Sequence, residues 1–177
     1  MVDRPRYDCD LRFPPRAFIP GTMAHPSRSR AKPGSGPVSA APAAPAGQAC
    51  GRKRALRRGL DLFNHGYFWE AHEAWEEPWQ ALRRDSAPAL HLQAMIRMAA
   101  AALKLVMQER RGVLAHAGWC ARVFVHLQQG DPACFDGGPA ADALIALCGR
   151  LRSGEEPLLD TDPACLATVL VLPGVPV

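Results

Sequence analysis

Apolar residues recur along this chain at three- and four-residue spacings rather than at alternate positions, a pattern that predicts helices. In a first helix, Gly51 to Asn64, the residues Ala55, Leu56, Gly59, Leu60 and Phe63 share a face. Asn64-His65-Gly66 then signals a turn, with Gly66 able to take positive φ and end the helix. A second helix begins near Tyr67. At about 100° per residue, Tyr67, Phe68, Ala71, Trp75, Trp79 and Leu82 form its core face, and Glu70, Glu73 and Glu77 fall opposite. His72 and Glu76 lie side by side at the boundary between the faces, one helical turn apart. Pro78 lacks an N–H, presses on the carbonyl of Ala74 and disfavours helical geometry at Glu77, so a kink or an end is expected near Glu77.

Asp85-Ser86-Ala87-Pro88 is a helix start, with capping side chains just ahead of a proline in the first turn. The third helix is expected to run to Arg110. It is apolar on most sides, and Gln93, Arg97, Lys104 and Gln108 form its one polar stripe. Such a helix belongs at the centre of a bundle. The alanine run Ala99 to Ala102 permits close approach of a neighbour. Gly112 is expected to separate a fourth helix, Val113 to Gln129, whose core face carries Val113, Ala117, Cys120, Val123, Phe124 and Leu127. His116 lies within that face and reads as a hydrogen-bonded core residue. A fifth helix is expected over Pro139 to Leu151, and a short last one from the Thr161-Asp162-Pro163 cap to Val171. No stretch alternates as a strand with a hairpin turn would, and no solenoid-length repeat is visible.

The fold class is therefore all-α, a compact multi-helix bundle with an extended N-terminal arm. Residues 1–50 form the arm and linker, and residues 51–177 form the bundle domain. Residues 1–30 are rich in Arg and Pro with Tyr7, Phe13 and Phe18 interspersed, which leaves two readings: a disordered tail, or an arm whose aromatic residues dock on the helices. Residues 31–49 have the composition of a Pro/Ala/Gly linker.

Charge divides along the same boundary. Residues 1–58 hold 12 Lys/Arg and 3 Asp/Glu, residues 59–177 hold 9 and 14, and the chain as a whole carries +4. The basic character thus belongs to the N-terminal part. It lacks the aromatic-basic motif of a nucleic-acid reader, so nucleic acid is not an expected partner. The most apolar run, Leu90 to Met107, contains His91, Gln93, Arg97 and Lys104, so a membrane span is not expected either. The N-terminus lacks the apolar core of a signal peptide. No two of the six cysteines stand at the two-residue spacing of zinc or redox motifs. Cys120 and Cys148 read as buried thiols, and a reducing, cytoplasmic location fits.

The chemistry concentrates in Gly59 to Trp79, which holds three of the four tryptophans and the His-Glu pair. His72 and Glu76 can bind a divalent metal, act as a base and its orienting partner, or satisfy each other within a buried network. Metal binding needs further ligands, for which His91, His116 and His25 are the candidates. Acid-base work needs a shifted pKa, which Trp69, Trp75 and Trp79 would favour by lowering the polarity around Glu76. In the network reading, Glu73 or Glu76 accepts hydrogen bonds from Gln93 or Arg97.

These residues carry a resemblance. Phe63-Asn64, Gly66, Phe68-Trp69-Glu70-Ala71-His72-Glu73, Trp75-Glu76, Trp79 and the Gln93-bearing alanine-rich helix resemble the domain of unknown function 309 family of bacterial and archaeal proteins, over about residues 55 to 130. The segment from Phe13 to Pro26 resembles an N-terminal arm in some members, with His25 at the matching histidine. The resemblance implies a helical bundle and no established activity. Two positions depart from the family pattern: Arg97 stands where Gln follows Ile, and Ala94 stands where Gly follows Gln.

Two functions follow. One is a small binding or regulatory module with a pocket lined by Trp69, His72, Glu73, Trp75, Glu76, Trp79, Gln93 and Arg97, taking a small molecule or a protein partner. The other is a metal-assisted or acid-base, hydrolase-like enzyme in which His72 and Glu76 are both the catalytic pair and the metal ligands. Assembly with further copies of the chain is compatible with either.

Overall fold

The computed structural model describes residues 6–8, 10–23, 45–130, 146 and 148–154; the side chains of 45–50, 52 and 128–130 lie outside that description. Among the described residues the regular structure is helical, with no strand. The four long helices are α1 (Pro45–Asn64), α2 (Phe68–Gln80), α3 (Ala87–Val106) and α4 (Arg110–Gly130). Residues 148–152 are also helical and bring Cys148 and Leu151 into the core. The rest of the expected fifth helix and the expected last helix lie outside the described residues. Each long helix packs on the next, α1 on α2, α2 on α3 and α3 on α4.

The turn from α1 to α2 follows directly from the sequence. Gly66 takes φ 85. Its N–H donates to the Phe63 carbonyl (3.0 Å), and the Tyr67 N–H reaches back to the Leu62 carbonyl (2.8 Å). These two bonds satisfy the last carbonyls of α1 and set the entry of α2. α2 then continues through Pro78 to Gln80, past the break expected at Glu77. The proline lies in the final turn, where only one ladder bond is forfeited, and its ring is buried.

α3 begins as expected. The Ser86 hydroxyl accepts from the Ala89 N–H (3.3 Å), and Pro88 sits in the first turn. The helix stops at Val106, short of the expected Arg110. Gln108 adopts φ 59, the Glu109 N–H donates to the Lys104 carbonyl (2.9 Å), and α4 starts at once. The break therefore rests on a glutamine in left-handed geometry, not on Gly112. That glycine lies inside α4, where a Cβ would stand 2.9 Å from Cγ of Lys104; its role is close helix approach.

α3 forms the centre, with Ala94, Met95, Met98, Ala99, Ala101 and Ala102 buried. By length and composition it could cross a membrane, and 61% of that window is buried inside the bundle. The small residues let α2 and α4 approach it closely. Cys120 on α4 donates its S–H to the Ala94 carbonyl (3.2 Å), and burial pushes this thiol up to about 12. Cys120 and Cys148 are both free and buried, as the apolar pattern predicts.

The arm docks. Asp61, fully buried in α1, accepts from the backbone N–H groups of Tyr7 and Asp8 at 2.8 Å each, and the Arg6 guanidinium stands 3.5 Å away. Phe13 stacks on Tyr67 (centroids 5.2 Å apart, planes at 10°), whose hydroxyl donates to the Pro14 carbonyl. Phe18 is buried edge-on against Trp69, and its N–H donates to Oε1 of Glu70 at 3.0 Å. Glu70 was placed on the solvent face by helical spacing alone. The arm covers that face, and desolvation raises the Glu70 carboxyl above its ordinary value despite the Phe18 N–H and in concert with nearby Glu73.

Candidate functional site

Where the arm, α2 and the second half of α3 meet, a cleft of ≈ 180 Å³ opens. Its floor is Ala99, Ala100 and Leu103 of α3; Trp69 and His72 of α2 form one wall; Pro20 of the arm, Lys104 and Met107 complete it. Helical spacing explains the geometry. Residues 69 and 72 are three apart and share a face of α2, and the alanines keep the floor low enough to leave a void. The two rings on the wall lie nearly parallel, with centroids 5.9 Å apart and planes at 14°.

His72 is 26% exposed. Its Nδ1 is buried and meets no hydrogen-bond partner among the described residues. Its Nε2 stands 3.9 Å from Oε1 of Glu76, beyond hydrogen-bond length, and Glu76 is 41% exposed. The two groups are neighbours, as the one-turn spacing predicts, but they do not satisfy one another. Buried polar atoms in folded proteins are nearly always paired, so an orphan nitrogen on a side chain that lines a cleft is a feature to be explained.

The other predicted residues divide. Trp75 is fully buried between α1 and α2, where Nε1 donates to the Leu56 carbonyl at 3.3 Å; it belongs to the core and not to the cleft wall. Trp79 lies beneath the Arg84 guanidinium, 3.6 Å from ring centroid to Cζ, and does not line the cleft. Glu73 is exposed. Gln93 is half-buried near the start of α3, two turns of helix from the cleft floor. Arg97 lies over the Trp119 ring of α4 at 4.2 Å and bonds to neither Glu73 nor Glu76. The expected network joining α2 carboxylates to Gln93 or Arg97 is therefore replaced by a cation on an aromatic face.

Two histidines gain meaning from the structure. Burial first, and the neighbouring Arg97, Lys104 and His72 second, hold the His116 imidazole below the usual range. Its Nδ1 is likewise buried and unpartnered among the described residues. It is thus not the satisfied core histidine that its position on α4 suggests. His91 lies elsewhere, in a second cleft of ≈ 270 Å³ beside Lys53, Pro78 and Leu82, and burial lowers it to about 4. Among the described residues no group of three or more His, Cys, Asp or Glu side chains is arranged to hold a metal ion. His72 and Glu76 therefore have no further metal ligand there, and His25 lies outside the described residues.

Sequence reasoning missed Asp61, Pro20 and the far half of the alanine floor. Asp61 carried a signal, since a lone carboxylate on an otherwise apolar turn of α1 invites a partner. Pro20 carried none.

An arm-clasped helical bundle with an aromatic- and histidine-walled cleft is the class this architecture defines. Residues 56–115 match the family described as Domain of unknown function (DUF309). The matched stretch spans the end of α1, all of α2 and α3 and the start of α4, and so includes both walls of the cleft except Pro20. No curated protein and no solved structure matches the chain.

Proposed function

We propose that this protein is a small-ligand binding module, and that the cleft between Trp69, His72 and the Ala99–Ala100 floor is its binding site. The observation that carries the reading is a largely apolar void walled by Trp69 and His72, a histidine whose Nδ1 meets no hydrogen-bond partner among the described residues. Binding sites of small molecules combine an apolar lining with a few polar groups that fix orientation. Apolar cavities of about 150 Å³ hold a benzene-sized ring, so a cleft of ≈ 180 Å³ suits a single ring or a short branched chain. Trp69 supplies a flat surface for such a body, and His72 a hydrogen bond.

The test is a titration of the full chain with benzamide, a neutral ring with an amide head, followed by NMR of the indole and imidazole signals. Saturable shifts at Trp69 and His72 are expected. Ala100→Leu, which fills the floor, should abolish them while leaving the thermal midpoint in place. Absence of any shift at millimolar benzamide, or the same shifts in the filled variant, would overturn the reading.

A further inference from the structure

The proposed site has a charge selectivity that the cleft lining alone does not reveal. Arg97, Ala100 and Lys104 follow one another at three- and four-residue spacing along α3, so they form a single stripe running between α2 and α4. Ala100 is part of the cleft floor and Lys104 part of its rim. Arg97 is one turn further along the stripe, fixed over Trp119. On α4, Trp119 lies under Arg97 and Gly112 lies against Lys104, so His116, between them on the same face, is set opposite Ala100 of the cleft floor.

Their states of pairing differ. Lys104 is held by both carboxylate oxygens of Glu109, at 2.8 and 2.7 Å, so its charge is answered. Glu76 lies beside His72 at 3.9 Å. Arg97 is half-buried and has no carboxylate within ion-pair distance among the described residues. On the flanking helices α2 and α4, the Nδ1 atoms of His72 and His116 meet no hydrogen-bond partner among the described residues. A guanidinium without a carboxylate partner among the described residues, flanked by the imidazoles of His116 and His72, makes an anion-recognising corner at the end of an apolar cleft. The planar guanidinium fork matches a carboxylate. Among the described residues Arg97 is the one cation there without a carboxylate, which suits a single negative charge rather than a phosphate dianion.

Building on the binding reading above, we infer that the ligand is a small monocarboxylate with a ring-sized or branched apolar body. The body lies on Trp69 and the alanine floor, and the carboxylate is turned toward Arg97, His116 and His72.

The experiment compares benzoate, benzamide and phenyl phosphate on the full chain at neutral pH, by calorimetry and by the same NMR signals. Benzoate is expected to bind at least tenfold more tightly than benzamide and more tightly than phenyl phosphate. Arg97→Gln should erase the preference for benzoate over benzamide. Raised sodium chloride should weaken benzoate and spare benzamide, a readout on the unaltered protein that holds even where the Arg97 variant does not fold. Equal binding of benzoate and benzamide would overturn the inference and leave the cleft reading standing. Tighter binding of phenyl phosphate would overturn the assignment to a monoanion. Binding of neither ring would overturn both.

Discussion

Gly59 of α1 lies directly against the indole of Trp75 of α2, so close that a Cβ on the glycine would fall on Nε1 of the ring. The contact lets the largest fully buried side chain cross from one helix to the other and donate to the Leu56 carbonyl. Any side chain at position 59 must push the ring out or part the helices. Overpacking of a filled core costs about 1–3 kcal/mol, and the lost bond leaves the buried indole N–H unsatisfied, for about 1 kcal/mol more. Gly59→Ala should therefore lower stability by about 2–4 kcal/mol in urea unfolding, the helix propensity gained offsetting only a part. Combining it with Trp75→Phe should cost less than the sum of the two single changes, because the smaller ring makes room.

Asp61 ties the arm to the bundle through two backbone N–H groups and Arg6. Asp61→Ala leaves those donors without their acceptor, at a cost of about 1–3 kcal/mol. Trypsin should then cleave after Arg12 and Arg16 at low protease concentration, where the parent protein resists. Removing residues 1–23 should lower the thermal midpoint, and Asp61→Ala should add little in the shortened chain. Additive effects would show that the arm is not held by this carboxylate.

The half-buried Glu70 and the more deeply buried His91 give opposite dependences on pH. Glu70 has its folded pKa raised above 4.5, chiefly by desolvation. The folded state then binds more protons than the unfolded one, so stability falls as pH rises through the raised value. Glu70→Gln keeps an acceptor for Phe18 and should stabilise the protein at neutral pH while flattening that slope. His91 is lowered from 6.5 to about 4, by burial. Here the unfolded state binds more protons, and acidification from pH 6.5 toward 4 should remove up to about 3 kcal/mol. His91→Gln should shrink that loss. Thermal midpoints of both variants across pH 4 to 8 (roughly the span in which carboxyl and imidazole groups titrate) check the two signs.

Gln108 holds the left-handed position that ends α3. Left-handed geometry costs a residue with a side chain roughly 1–2 kcal/mol, which glycine avoids at some expense in unfolded-state entropy. Gln108→Gly should thus stabilise by about 0.5–1 kcal/mol, readable as a shift in denaturant midpoint at constant slope. A loss of stability would mean that the Gln108 side chain makes a contact outweighing the strain.

Much of the bundle was legible because helical periodicity and turn chemistry pointed the same way. Gly66, Ser86 and Pro88 fixed three helix boundaries, and the nearly all-round apolar character of α3 identified the central helix. The stop at Val106 was hidden, since the chain places a glutamine where a glycine signal would be expected. The site was legible only in part. One-turn spacing paired His72 with Glu76 and set Trp69 beside them, but spacing says nothing about distances across helices. Trp75 therefore looked like a cavity wall when a glycine on α1 draws it into the core, and Arg97 looked like a partner for Glu76 when Trp119 of α4 provides the nearer face. The Glu70 face appeared solvated because the segment that covers it lies far upstream, with Phe18 52 residues before Glu70.

That separation bears on the order of folding. The Asp8–Asp61 and Phe18–Glu70 bonds join positions 53 and 52 residues apart. The arm has no acceptors to meet until the last turn of α1 and the first of α2 exist. Closing so long a loop is an entropic penalty that local helix pairing escapes. The bundle should thus assemble from α1 onward while the upstream strap is still searching, and the wall that Pro20 contributes is the last piece set in place. A nascent or partly refolded molecule would present a roofless groove along the alanine floor of α3.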